Sequence, residues 1–215
     1  MENNRRSIVT ILGKSGSGKS ELIRRILRDV DRPTFIIDAL SEYRDFGVHF
    51  YSSESLFRFV IDGRPNMTRI YVLNTQHDDE SERFFRFVRW LKNVSVVVDE
   101  CDMYAGTHNI DPNLSEIVRY GRHRNISLLC AARRPSEINI TIRSQSDSIV
   151  SFKQDETSDV KRLAERWGSE AERVRDLGEY QFIVFGDLTY FVQSDILIYN
   201  NFNKTEKNDE LARLR

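Results

Sequence analysis

Cysteine is almost missing from this 215-residue chain, which holds only Cys101 and Cys130. Two thiols cannot build a disulfide scaffold, and with four scattered histidines they do not make a zinc site. Each lies beside or inside an apolar run, where a buried free thiol is expected. Proline (4) and glycine (10) are also scarce, and no linker-like or repeated segment divides the chain. No apolar run approaches the ~18 residues of a membrane-spanning helix. The opening MENNRRSIVTILG has charges followed by an apolar stretch too short for a signal-peptide core, so a soluble, cytosolic protein is expected. Net charge is nearly absent too: 32 basic and 33 acidic side chains leave −1. A bulk cationic coat is thereby excluded, and any nucleic-acid surface must be a local patch.

What the chain does hold is apolar mass, 40% of residues with 13 Phe and 8 Tyr, enough to bury a core. One domain over residues 1–199 is expected, followed by a polar tail over 200–215. Short β-branched runs predict strands at Ser7–Leu12, Thr34–Ile37, Arg69–Leu73, Ser95–Val98, Ser127–Ala131 and Ser148–Phe152. Two more, Gln181–Phe185 and Thr189–Gln193, flank Gly186-Asp187 and predict a C-terminal antiparallel hairpin at a sheet edge. Apolar spacings of three and four predict helices at Ser20–Arg28, Ser53–Ile61, Glu80–Leu91, Pro112–Arg122 and Asp159–Trp167. Alternating strands and helices with nearly continuous apolar strands imply an α/β fold, a mostly parallel central sheet flanked by helices.

The strongest motif is Gly13-Lys14-Ser15-Gly16-Ser17-Gly18-Lys19-Ser20, which fits G-x-x-x-x-G-K-[ST] at every fixed position between a predicted strand and a predicted helix. The glycines let successive backbone N–H groups wrap a phosphate, and the helix adds its positive end. Lys19 can reach the β- and γ-phosphates of ATP, and the Ser20 hydroxyl can join a Mg²⁺ shell. Val94-Ser95-Val96-Val97-Val98-Asp99-Glu100 supplies a buried strand ending in two acids. Asp99 suits the metal and Glu100 the attacking water, because adjacent side chains diverge.

Of the 32 basic residues, 25 are Arg and 7 are Lys, a bias toward bidentate phosphate or carboxylate recognition. Arg119, Arg122, Arg124, Arg133 and Arg134 fall within 16 residues, with His123 among them. Arg133 or Arg134 can act as a γ-phosphate sensor, and the cluster suits a phosphate or subunit-interface role. On the 78–89 segment Arg83, Arg86 and Arg89 recur along one helix flank, as either a phosphate track or a solvated face. The neighbouring Phe84, Phe85, Phe87 and Trp90 are expected in the core.

The phosphate loop, the Val-Val-Val-Asp-Glu strand and Tyr120-Gly121-Arg122-His123-Arg124-Asn125-Ile126-Ser127-Leu128-Leu129 resemble the HerA/FtsK superfamily of DNA-pumping ATPases. Ala131-Ala132-Arg133-Arg134-Pro135-Ser136-Glu137-Ile138 and Arg143-Ser144-Gln145-Ser146-Asp147 extend the likeness over roughly residues 7 to 165. Within it, the chain looks most like the small genome-packaging ATPases of membrane-containing icosahedral viruses. The resemblance implies a RecA-like ASCE P-loop NTPase core, a hexameric ring, ATP sites between subunits and double-stranded DNA through the centre. Capsid-vertex or virion membrane proteins are implied as further partners, in the host cytoplasm or at the virion vertex. Lys19 and Ser20 match the Walker A pair, and Asp99 and Glu100 the Walker B pair. Arg133 stands where the superfamily often has Gln in its A-T-Q-R-P block. For the arginine finger acting in trans, Arg122 and Arg124 rank ahead of Arg119 and Arg143.

The leading expectation is therefore ATP-driven packaging of double-stranded DNA into a preformed capsid. The phosphate loop begins at residue 13, which is expected to leave no room for the additional N-terminal parts of HerA- or FtsK-type cellular proteins. A HerA-like translocase in repair or defence is the alternative, and a P-loop small-molecule kinase is another from a different class. A guanine-reading switch would need an N-K-x-D motif, and none is visible. The loop after the Walker B strand, Cys101–Asn113, and the Asp78–Arg89 segment are the expected pore-lining regions.

Overall fold

The computed structural model describes residues 6–63 and 69–186. Eight strands form one sheet: β1 (Ile8–Leu12), β2 (Thr34–Asp38), β3 (Val48–Phe50), β4 (Ile70–Asn74), β5 (Val94–Val98), β6 (Ile126–Ala132), β7 (Ser148–Phe152) and β8 (Phe182–Phe185). Their spatial order is β3-β4-β2-β5-β6-β1-β7-β8. Every neighbouring pair is parallel except β7 and β8. β1, β2, β5, β6 and β7 are buried at every position, as continuous β-branched runs require when helices cover both faces. The alternating strand side chains feed two apolar clusters, one on each face.

The helices are α1 (Lys19–Arg28), α2 (Ser53–Ile61), α3 (Asp78–Val88), α4 (Pro112–Tyr120), α5 (Ile140–Gln145) and α6 (Thr157–Trp167). α1 buries Leu22, Ile23, Ile26 and Leu27 against one face. α3 drives Phe84, Phe85 and Val88 into the other. Two sequence features set the start of α4. Asp111 accepts from the backbone N–H groups of Asn113 and Leu114, at 2.8 and 2.9 Å, and Pro112 occupies the first turn.

Several boundaries differ from the sequence expectation. Helix α3 stops at Val88, three residues early, so Trp90 lies beyond it and is 60% exposed rather than in the core. Arg89 and Arg124 instead place guanidinium groups 5.2 and 4.8 Å from its ring centroid, and cation–π attraction holds the indole at the surface. α4 tightens after Tyr120 into a 3-10 turn over Gly121–Arg124. Strand β3 and helix α5 are additional elements, each too short to show a periodicity. The first half of the expected hairpin is β8, at the sheet edge. Its second half, Thr189–Gln193, and the 200–215 tail lie outside the described residues.

Replacing the cap of α4, Asp111→Ala, should lower unfolding free energy by about 1 kcal/mol. Urea denaturation followed by circular dichroism checks this; an unchanged midpoint would show that the cap contributes nothing.

Candidate nucleotide site

Parallel register assembles the site. β1 lies between β6 and β7, and β6 separates it from β5. The C-terminal ends of β1, β5 and β6 therefore share one sheet edge. That edge receives the 13–20 loop, Asp99-Glu100 and Arg133, residues up to 120 positions apart in the chain.

Glycine is needed in the loop for two separate reasons. Gly16 and Gly18 adopt φ of +75° and +103°, a region that side chains disfavour. Gly13 is instead confined by space: a Cβ there would stand 2.5 Å from Ser17 Oγ and 2.9 Å from Phe152 Cβ. Lys14, Ser15 and Gly16 are exposed, whereas Lys19 is buried at the start of α1. Its Nζ donates to the carbonyls of Gly13 (2.7 Å) and Lys14 (3.2 Å). Burial lowers the Lys19 pKa, while Glu100 and Asp99 oppose that shift.

On the neighbouring strand end, Asp99 is almost wholly buried. Burial raises its pKa to about 7, and the charges of Asp38 and Glu100 add to the rise. Glu100 takes the left-handed conformation at φ +46° and ψ +52°, uncommon for a side-chain-bearing residue and concentrated at functional positions. This turn sends its carboxylate to Arg133, whose Nε donates to Glu100 Oε2 at 3.2 Å. The pairing with Glu100 raises the Arg133 pKa, with Asp102 contributing further.

Two groups at this edge were not singled out from sequence. Asp38 ends β2 as Asp99 follows β5, and its buried carboxylate accepts from the N–H groups of Glu42 and Tyr43, both at 3.0 Å. The signal was present: Ile-Ile-Asp at 36–38 repeats the pattern of Val-Val-Asp at 97–99. The second group is Tyr43, fully buried, whose hydroxyl lies beside Ser20 and Asp99. Desolvation raises its pKa. A hard cation suits this surrounding: the Ser20 hydroxyl and the Asp99 carboxylate are oxygen donors of the kind Mg²⁺ takes. The like charges of Asp38, Asp99 and Glu100 would be relieved by it.

The other arginines are placed differently. Arg134 donates from Nε to the buried Asp159 at 2.7 Å, and Asp159 also accepts from Ser136 N–H at 3.1 Å. Arg134 thus fixes the loop after β6 to α6. Arg143 donates to the Pro135 carbonyl at 2.8 Å, bracing the same loop from behind. Arg122 and Arg124 precede β6, at the opposite end of a seven-residue strand, roughly 20 Å from the phosphate loop. Arg122 and Arg119 are exposed, while Arg124 donates to the Trp90 carbonyl at 3.1 Å. None of these three can reach the phosphate loop of its own chain. Arg83, Arg86 and Arg89 pair with Glu80, Glu82 and Glu116. Both cysteines are buried and free.

The segment after β5 is anchored by Cys101, Tyr104 and Ala105, while Thr107, His108 and Asn109 are exposed. It begins with a 3-10 turn over Cys101–Met103, and Asn139 holds it by hydrogen bonds to Ala105 O (2.8 Å) and Gly106 O (3.1 Å).

No protein-family model and no curated protein matches the chain. Solved structures do share its fold. The genome packaging NTPase B204 of Sulfolobus turreted icosahedral virus 2, in complex with ATP-gammaS, superposes with a TM-score of 0.71 at 21% identity, covering 86% of this chain and 94% of that one. B204 of Sulfolobus turreted icosahedral virus, a DNA-packaging ATPase, gives 0.70 at 23% identity, covering 85% and 93%. The pCW3 conjugation coupling protein TcpA, with ATPgS, gives 0.54 at 16% identity, covering 86% and 58%. The fold is that of a P-loop NTPase, a mostly parallel sheet flanked by helices with one antiparallel edge pair. Among the described residues no helix is long and apolar enough to cross a membrane.

Gly13→Ala should weaken ATP binding at least tenfold, because the new methyl group meets Phe152 Cβ on β7 and the loop cannot keep its curvature. Calorimetric titration with ATP decides this, and wild-type affinity would contradict the crowding at Gly13.

Proposed function

We propose that the chain is an ATP-hydrolysing double-stranded DNA translocase that packages a viral genome. The observation that carries the ATPase reading is the convergence of the 13–20 loop, Asp99, Glu100 and Arg133 on one sheet edge. In this reading loop N–H groups and Lys19 hold the triphosphate. Ser20 and Asp99 would hold Mg²⁺, which neutralises charge on the β- and γ-phosphates. Glu100 orients a water and takes its proton as the γ-phosphoryl group leaves. Arg133 keeps the Glu100 carboxylate at the strand end. A γ-phosphate would compete with that carboxylate for the same guanidinium, which couples nucleotide arrival to release of the base.

The DNA and packaging parts of the proposal rest on the ordered sequence blocks from Tyr120 to Asp147 and on the fold shared with B204. The position of Arg122 and Arg124 supports sites completed between subunits of a homo-oligomeric ring, because a cis contact is geometrically excluded. A small-molecule kinase would place a substrate hydroxyl where Glu100 now faces Arg133, and the paired acids favour water as the nucleophile.

Phosphate release should be Mg²⁺-dependent and increase several-fold with double-stranded DNA, and native mass measurement should show a ring-sized oligomer. A DNA-indifferent monomer would overturn the motor. The Glu100→Gln variant should retain ATP binding while turnover falls about 100-fold or more. Turnover near wild type would remove Glu100 from the base role.

A further inference from the structure

Behind the phosphate loop stands an aromatic wall unrelated to the triphosphate chemistry. Phe152, at the end of β7, packs its ring 5.4 Å from that of Phe182 on β8. It also backs the loop, with Cε1 at 3.4 Å from where a Gly18 Cβ would be. Tyr180 completes the wall, its Cδ1 at 3.3 Å from the same point. Glycine at 18 thus meets the φ demand and also lets the Tyr180 ring close onto the rim of the loop.

Tyr180 is held there in an unusual way. It occupies a four-residue turn in which Gln181 N–H donates to Gly178 O at 3.3 Å and the Gln181 side chain accepts from Gly178 N–H at 2.8 Å. Within this turn Tyr180 has φ of +60°, a costly conformation for a bulky residue. Even so, 64% of it is exposed, and no other ring covers it among the described residues. The turn therefore spends conformational energy to display an aromatic side chain to solvent at the loop rim. On the adjoining flank, Lys14 bridges to Asp155 at 2.6 Å, tying the loop to the segment after β7. The sheet side of the loop is closed by β1 and Phe152. Tyr180 stands on the solvent side of the loop beside Gly18, the side left open to the non-phosphate part of a nucleotide.

We infer that Tyr180 is the surface against which the nucleobase of the bound nucleoside triphosphate stacks. This rests on the phosphate-loop reading above and adds the part of the substrate that the loop cannot read. Backbone N–H groups recognise phosphate irrespective of the base. A tyrosine face contributes stacking with a purine. The sequence alone offered no motif for this role, because Tyr180 lies 160 residues from Ser20 and is brought there by the antiparallel return into β8.

Affinity for ATP and for inorganic tripolyphosphate, measured side by side, tests the inference. Tyr180→Ala should weaken ATP binding about tenfold, the scale of one lost base–aromatic stack. Tripolyphosphate binding should stay within twofold of wild type. Tyr180→Phe should bind ATP like wild type. Tyr180→Asn, whose side chain tolerates the left-handed turn, should behave like the alanine variant. Equal weakening toward both ligands would overturn the inference by showing that Tyr180 only shapes the loop, as would unchanged ATP affinity. Failure of the wild-type protein to bind either ligand would instead overturn the phosphate-loop reading itself.

Discussion

The parallel register of β1, β6 and β5 is the constraint on which the rest of the structure depends. Each strand is buried along its length, and each ends at the same edge of the sheet. Their solvent-facing polar groups are therefore confined to the strand ends, and the C-terminal ends carry the 13–20 loop, Asp99-Glu100 and Arg133. The glycine-rich 13–20 loop, an acidic pair and an arginine are thus brought together by apolar pairing. The hydrophobic effect sets the geometry, and the polar groups are passengers placed within ångströms of each other.

Electrostatics then makes that edge unstable without compensation. Asp38 and Glu100 crowd Asp99, with Lys19 as the opposing cation, and burial leaves Asp99 with a pKa of about 7. Two devices offset the repulsion within the chain. Asp38 spends its charge on the backbone N–H groups of Glu42 and Tyr43. Glu100 turns through a left-handed backbone to reach Arg133. Asp99 is favoured by the Glu100 backbone N–H and the Lys19 charge, but these do not offset its burial and the neighbouring acids, so negative charge is concentrated where a divalent cation would sit beside Ser20.

Much of this was legible in the sequence. The 13–20 motif, the five buried strands and the main helices followed from spacing, because continuous β-branched runs and three-four periodicity leave few alternatives. The Asp99–Glu100 pair was legible for the same reason, as polar residues closing an apolar run. What was not legible depends on long-range placement. Arg133 and Arg134 are adjacent and chemically identical, yet one meets Glu100 and the other is fixed to Asp159. Trp90 reads as a core residue by its neighbours, but α3 ends before it and two guanidinium groups hold it outside. Tyr180 carries no motif at all. Its place at the loop rim exists only after β8 has paired with β7.

The proposed nucleoside triphosphate site is the sheet edge that holds Lys19, Asp99, Glu100 and Arg133. A crystal structure with Mg²⁺ and a non-hydrolysable ATP analogue tests it most directly. The expected result is a triphosphate wrapped by residues 13–20, Lys19 Nζ moved from the Gly13 carbonyl onto phosphate oxygens, and Mg²⁺ between Ser20 and Asp99. A nucleotide bound elsewhere, with the Lys19–Gly13 and Arg133–Glu100 contacts unchanged, would contradict it.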